Sequence, residues 1–335
     1  MDSVDLRALG AEMGGAMVNH PLITVLMSVY NTPVKMLRLA IESIVHQSFS
    51  DFEFLVLDDG STDASTRGFL TEAAARDSRI RVCLEPHRGL TPTLNRGIDL
   101  ARGDLIARQD ADDWSEPERL EKQAAYLEAH PEVGLLGSAA WTHQHDGTPL
   151  WPVRMPETER QILAAFQRGN PFVHGSVMFR TVDARALGGY REELRCSQDY
   201  DFFWRMTEAV GAANLSEPLY HYRYSVGSVS ASRAAEQAAA HRAARLLAKA
   251  RRRGEPEDVA RAMATSSGSA ESCGSAFRAA LKQADHLMLA GDYGRAGRAY
   301  LSLARSRPSN PLAWVKLARL GLFSLAPPLG RWSFR

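Results

Sequence analysis

The stretch Gln109-Asp110-Ala111-Asp112-Asp113-Trp114 puts three carboxylates within four positions. Like charges that close repel one another, and burying them dry costs desolvation energy, so the cluster suits a cation. A hard divalent ion takes oxygen ligands, and one held by only one or two carboxylates usually also holds substrate phosphates. Leu105-Ile106-Ala107 before the cluster reads as a short buried strand, and Glu116-Pro117-Glu118-Arg119-Leu120 after it as a helix start. A solvated acidic turn with Ser115 capping that helix is the plainer reading. The placement of the other polar groups in the first half of the chain decides between the two.

Residues 22–30 form a β-branched run of strand length, and Asn31-Thr32-Pro33 then supplies a cap and a proline for a helix carrying Leu37, Ile41, Ile44 and Val45. Phe52 to Leu57 is a second strand, ending in Asp58-Asp59-Gly60-Ser61-Thr62-Asp63. Residues 64–76 are helical and Arg79 to Leu84 forms a third strand. After Arg88-Gly89, Thr91 caps a helix through Leu100, and Asp104 to Ala107 opens the fourth strand. Such alternation means βαβ units and a mostly parallel sheet, with ligands outside the carboxyl ends of the strands. Those ends carry Tyr30-Asn31, Asp58-Asp59, Arg88 and the Asp110-Asp112-Asp113 cluster.

No G-x-G-x-x-G follows the first strand and no G-x-x-x-x-G-K-[ST] occurs, which excludes the dinucleotide fingerprint and the P-loop. Tyr30 can stack on a base, Asp59 can accept its imide N–H, and Asp110 can hold ribose hydroxyls. Asp112, with Asp113, can hold a metal ion on a diphosphate. The set fits a nucleotide diphosphate-sugar, whose leaving group needs its charge neutralised as the sugar bond breaks.

Further on, a helix at 116–130, a strand from Val133 to Ala139 and a hairpin through 143–147 follow. His143 and His145 share a strand face but have no third metal ligand nearby, so the hairpin reads as a solvated turn. Residues 157–168 read as helix and 172–180 as strand. Asp199 opens an aromatic-rich helix, where Ser197 or Asp199 serves as N-cap or Asp199 as a catalytic carboxylate; the sequence leaves both open. Tyr220, Tyr222 and Tyr224 alternate as in a half-buried edge strand.

Residues 22–225 as a whole resemble the family 2 glycosyltransferases, of GT-A fold. The resemblance is carried by Val29-Tyr30-Asn31, Asp58-Asp59-Gly60-Ser61-Thr62-Asp63, Asn95-Arg96-Gly97, Asp110-Ala111-Asp112-Asp113, Arg119-Leu120-Glu121-Lys122-Gln123, Gly188-Gly189-Tyr190-Arg191 and Gln198-Asp199-Tyr200-Asp201. Ser28 departs from the proline that many members carry before Tyr-Asn. The resemblance implies an inverting transfer of a sugar from a nucleotide donor, UDP foremost, to a glycan or lipid-linked acceptor, helped by Mn²⁺ or Mg²⁺. It maps Ser28, Tyr30, Asn31, Asp59 and Arg88 to donor contacts, Asp110 and Asp112 to the D-x-D, with Asp112 and Asp113 toward the metal, and Asp199 to the general base. Rival classes are a sugar-nucleotide pyrophosphorylase, which would need a Gly-rich, Arg-bearing loop where Tyr30-Asn31-Thr32-Pro33 stands, and an inactive scaffold acting through its tail.

The chain has 335 residues, too many for one typical core. The expected units are an extension at 1–21, an α/β catalytic domain at 22–229, a helix and linker at 230–275 and a helical tail at 276–335. Gly291-Asp292-Tyr293, Ala296, Tyr300, Pro308 and Trp314 resemble a tetratricopeptide-type helix pair. Three scattered cysteines argue against a disulfide framework and fit a reducing compartment. The front, 1–230, carries 22 basic against 32 acidic residues, and 231–335 carries 18 against 7. No nucleic-acid motif accompanies that basic end, so its expected partner is an anionic lipid surface, on the inner face of the cytoplasmic membrane, or the acidic front itself. No run approaches the ~18 apolar residues of a spanning helix.

Overall fold

The structure, a computed structural model, describes residues 20–225, 234–268 and 273–325. Its centre is one sheet of order β3-β2-β1-β4-β8-β6-β9-β5. The strands β1 (Ile23–Val29), β2 (Phe52–Asp59), β3 (Ile80–Glu85) and β4 (Leu105–Asp110) pair in parallel. Every residue of β2 is buried, as expected of a parallel strand covered on both faces, and this is why it is apolar from Phe54 to Leu57 without alternation. The helices α1 (Val34–Val45), α2 (Ala64–Arg76) and α3 (Leu90–Leu100) are the crossovers. Successive β1 side chains serve opposite faces: Val25 and Met27 pack with the α1 and α2 residues Leu37, Ile41 and Leu70, and Leu26 packs with Leu94 and Ile98 of α3.

Past β4 the sheet becomes mixed. The chain continues through β5 (Trp114–Ser115), α4 (Arg119–Ala129), β6 (Leu135–His143), β7 (Pro149–Val153), α5 (Glu159–Ala165), a 3₁₀ turn at His174–Ser176, β8 (Met178–Arg180), α6 (Thr181–Ala186), α7 (Gln198–Val210) and β9 (Ala212–Arg223). Strand β8 is antiparallel to β4 and β6, β9 is parallel to β6, and β5 closes antiparallel on β9.

Several local expectations change. The strand expected at 172–180 is a loop and turn as far as Ser176, whose carbonyl accepts from buried Gln123; from Val177, whose carbonyl accepts the β4 amide of Arg108 as well as the Arg119 side chain, the chain joins the sheet. Strand β9 is not an edge: it lies between β6 and β5, and Tyr220 is fully buried. Ser115 belongs to β5 and donates to Gln109 rather than capping α4. Gly89, at φ 95°, precedes α3 where a Thr91 cap was expected.

The tail begins with the helix Ala234–Arg252, whose Ala244 and Ala248 pack with Tyr200 and Trp204 of α7. Residues 264–275, linker-like in composition, are helical at 264–268, the end of Val259–Gly268, and at 273–275, the start of Cys273–Leu289; 269–272 lie outside the described residues. The helices Cys273–Leu289, Tyr293–Ser306 and Pro311–Leu325 share a small core around Ala284, Ala296, Tyr300 and Ala313. Of the Arg251-Arg252-Arg253 cluster, Arg251 and Arg252 bind Glu208 of α7 at 2.5 and 3.1 Å, so part of the basic charge is used inside the protein. Among the described residues no helix is long and apolar enough to cross a membrane.

Candidate functional site

Register brings the polar strand ends together. Val29 lies opposite Asp58 and Ser28 opposite Asp110 across the parallel ladders, which puts half-buried Ser28 beside the acidic turn. Tyr30 is exposed and stacks on His87, centroids 4.2 Å apart. Asn31, left-handed at φ 49°, is one of the few residue types that accept this conformation readily. Its Oδ1 accepts the Thr62 and Asp63 amides at 2.8 and 3.1 Å, tying the end of β1 to the loop after β2 instead of capping α1. Gly60, at φ 72°, could not be replaced without strain, since a Cβ there would stand 2.6 Å from the His87 nitrogen.

Asp59 lies at the expected strand end, but its buried carboxylate accepts the Arg88 and Gly89 amides at 2.8 and 2.9 Å, with His87 Nδ1 3.0 Å away. It therefore builds the loop that presents His87 and exposed Arg88.

The acidic turn rests on a buried polar frame. Gln109, fully buried, donates to the Asp110 and Asp113 carbonyls and accepts from Ser115 and Arg119. Arg119, also fully buried, further donates to the Arg108 carbonyl and to Gln123. Burial lowers its pKa to about 10, which leaves it charged at neutral pH. The three acids then diverge. Asp110 pairs with Arg108 at 2.6 Å. Asp113 accepts from the Tyr220 hydroxyl at 3.0 Å and the Arg223 amide at 2.7 Å, so the metal role suggested for it is taken up by two protein donors. Asp112 accepts from the Ser225 hydroxyl at 2.8 Å, and burial followed by the charge of Asp110 pushes its pKa up.

A cation beside Asp112 would relieve that unfavourable charge, and a hard oxygen set suits Mg²⁺ or Mn²⁺. Among the described residues no three His, Cys, Asp or Glu side chains gather into a cage.

Asp199 sits in the first turn of α7. Its Oδ2 accepts from Asn170 Nδ2 at 2.7 Å. Neither Ser197 nor Asp199 makes a side-chain cap, and Ser197 is itself left-handed at φ 62°. Asp201, two residues on, is a different carboxylate: it is buried and bound by Arg191 at 3.0 Å and Arg205 at 2.9 Å. Arg205 also holds the Leu187 and Gly189 carbonyls, and Asn95 makes paired bonds to the Tyr190 backbone at 2.8 Å each. The Asn95, Arg191 and Asp201 motif residues thus form the brace that presents α7.

Sequence reasoning missed Arg108, Asn170, His174, Tyr220 and Ser225. Arg108 lies one position outside a motif, Asn170 falls in the gap between the helix read to 168 and the strand read from 172, His174 lies inside that misread strand, and Ser225 sits at the end of the tyrosine alternation. It also missed the tail's reach: His286 bonds the Ser225 carbonyl at 2.8 Å, Tyr293 accepts from Gln144 at 2.6 Å, and the His241 ring lies 4.4 Å from that of Tyr200. His143 and His221 bond each other at 2.9 Å against Trp114, so the hairpin histidine is a buried polar contact rather than part of a solvated turn.

Comparison with known proteins fits this geometry. The family description "Glycosyl transferase family 2" matches residues 24–187. The chain is 36% identical over 211 residues to the putative glycosyltransferase EpsE of Bacillus subtilis, covering 62% of this chain and 74% of that protein. It is 32% identical over 204 residues to the amylovoran biosynthesis glycosyltransferase AmsE of Erwinia amylovora, covering 60% and 76%. Among solved structures, S. aureus TarS 1-349 in complex with UDP-GlcNAc superposes with a TM-score of 0.57 at 20% identity over 89% of this chain and 88% of that one. The mannosyltransferase PcManGT of Pyrobaculum calidifontis, in complex with GDP-Man and Mn²⁺, gives 0.52 at 18% identity over 92% and 81%.

Proposed function

Because the chain belongs to glycosyl transferase family 2, we propose that it transfers a sugar, with inversion, from a nucleotide diphosphate-sugar to a glycan or lipid-linked acceptor in polysaccharide biosynthesis. The observation that carries the reading is the Tyr30–His87 stack and the Asp110–Asp112 turn at the carboxyl ends of parallel strands, together with a carboxylate, Asp199, held by Asn170 at the start of α7. In this reading Tyr30 covers the base, with Arg88 nearby. Asp110, fixed by Arg108, orients the ribose, and Asp112 faces the diphosphate. A divalent ion bound there would neutralise the departing diphosphate. Asp199, aimed by Asn170, takes the proton of the attacking hydroxyl on the opposite face of the sugar.

UDP is the first nucleotide to test, since TarS binds UDP and UDP-GlcNAc, and GDP is the second, since PcManGT binds GDP-Man with Mn²⁺. A thermal-unfolding panel of nucleoside diphosphates with and without Mn²⁺ should give a stabilisation that depends on both base and metal. A ligand at 100 times its Kd adds about 2.7 kcal/mol to the native state. Indifference to every nucleotide, with or without the ion, would sink the reading and leave an inactive scaffold.

Peripheral attachment to the inner face of the cytoplasmic membrane belongs to the same proposal. Leu312, Trp314 and Val315 are exposed on the last helix, beside a segment whose basic residues contribute about 1 kcal/mol each near an anionic surface. Full-length protein is expected to sediment with anionic vesicles at low salt and to be released at high salt. If it stays in the supernatant at low salt, the tail is only a packing element.

A further inference from the structure

We propose that His174 reads the transferred sugar, as a donor-sugar contact on the loop that joins the base to the acidic turn. The inference rests on the glycosyl-transfer reading and deepens it.

The loop touches both ends of the reaction. At its start, Asn170 donates to Asp199 at 2.7 Å. At its end, Gly175 lies against the acidic turn so closely that a Cβ would overlap the Tyr220 hydroxyl and stand 2.8 Å from an Asp110 carboxylate oxygen. Only a residue without a side chain fits there, and the close approach carries the neighbouring His174 with it. Its ring lies in the field of Arg108, Asp199 and Asp110. In an in-line displacement the sugar's reacting carbon lies between the base and the leaving group, so a loop that bonds Asp199 through Asn170 and lies against Asp110 through Gly175 runs along the place of the sugar, and His174 is the side chain next to that second contact.

The ring is also fixed as a binding group should be. Its Nε2 lies 3.2 Å from the Tyr190 hydroxyl, and it packs edge-on against Tyr190 and Phe203 at 5.8 and 5.7 Å. Tyr190 is in turn pinned through its backbone by Asn95. Burial is the largest influence on both groups, keeping the imidazole neutral and the phenol protonated. A phenol that donates to Nε2 leaves the imidazole proton on Nδ1, where it can be given to a sugar hydroxyl. The plainer reading is a buried histidine satisfied by Tyr190 alone, which would leave ligand binding indifferent to its removal.

The test compares UDP with UDP-glucose, UDP-galactose and UDP-N-acetylglucosamine, by calorimetric titration in Mn²⁺ on the full chain. For the sugar nucleotide that the wild type prefers, His174→Ala should weaken binding roughly tenfold while UDP itself stays within about twofold, the worth of one hydrogen bond made only to the sugar. Tyr190→Phe keeps the imidazole and the aromatic packing but frees the tautomer, and should move the same ratio in the same direction. An unchanged ratio of sugar-nucleotide to UDP affinity in both variants overturns the proposal and returns His174 to the core. If the wild type binds neither UDP nor any of the three sugars, nor GDP and GDP-mannose titrated in their place, it is the glycosyl-transfer reading beneath that fails.

Discussion

Asp199→Asn should lower turnover by ~10²–10⁴-fold while leaving donor affinity nearly unchanged, the usual contribution of a positioned general base. The substitution keeps size and shape. Asn170 can still donate, because the new amide can turn its oxygen toward Asn170 Nδ2 where the carboxylate accepted at 2.7 Å. What disappears is the capacity to take a proton and a negative charge in the first turn of α7. The charge lost there costs roughly 0.3–1 kcal/mol of helix-dipole interaction, so the melting temperature should fall only slightly. Asp201 cannot substitute, since both its oxygens are committed to Arg191 and Arg205. The check is a rate at saturating donor alongside a calorimetric donor titration. Wild-type turnover in the variant would reduce Asp199 to a favourable charge at a helix start.

How far the sequence carries such an argument depends on the distance over which the chain must be read. The parallel half was legible because each strand there carries a short apolar stretch and the helices α1 and α3 show a 3.6-residue pattern. Residues 64–76 are helical although their apolar residues mark no clear face, and the strand ends converge because parallel strands with crossovers leave them no alternative. The second half was not, because its elements are set by contacts remote in sequence. Residues 172–176 look apolar enough for a strand, yet they form a loop and a 3₁₀ turn whose last carbonyl, that of Ser176, is taken by Gln123 of α4. The tyrosines alternate as at an edge, but β5, only two residues long, pairs alongside Tyr220 and His221. At the site, residue type pointed to the acids but could not rank them: only the partners separate Asp199 from Asp201, or Asp112 from Asp113. The tail's contacts with Ser225 and Gln144 span 61 and 149 residues, beyond any local pattern.

That ranking gives the second large effect. Asp112→Asn should abolish most of the Mn²⁺-dependent part of donor binding and yet leave the protein folded. Of the three acids, Asp110 has Arg108 as a counter-charge and Asp113 has two protein donors, whereas Asp112 accepts from the neutral hydroxyl of Ser225. Burial, then the nearby Asp110, raises the Asp112 pKa above that of the unfolded chain. A carboxyl with a raised folded-state pKa subtracts from stability at neutral pH, because ionising it is harder in the folded protein, and the penalty fades as pH falls below the ordinary carboxylate range. The neutral amide removes the penalty and can still accept from Ser225. Without metal, the variant should therefore melt no lower than wild type at pH 7, and any gain should vanish in acid. With Mn²⁺ and UDP the order should reverse, the wild type gaining the linked stabilisation that the variant lacks. Melting curves at two pH values, with and without metal and nucleotide, separate the two effects. Wild-type affinity for the donor in Mn²⁺ would remove Asp112 from the phosphate site, and a large loss of stability without metal would mean its charge is needed by the fold.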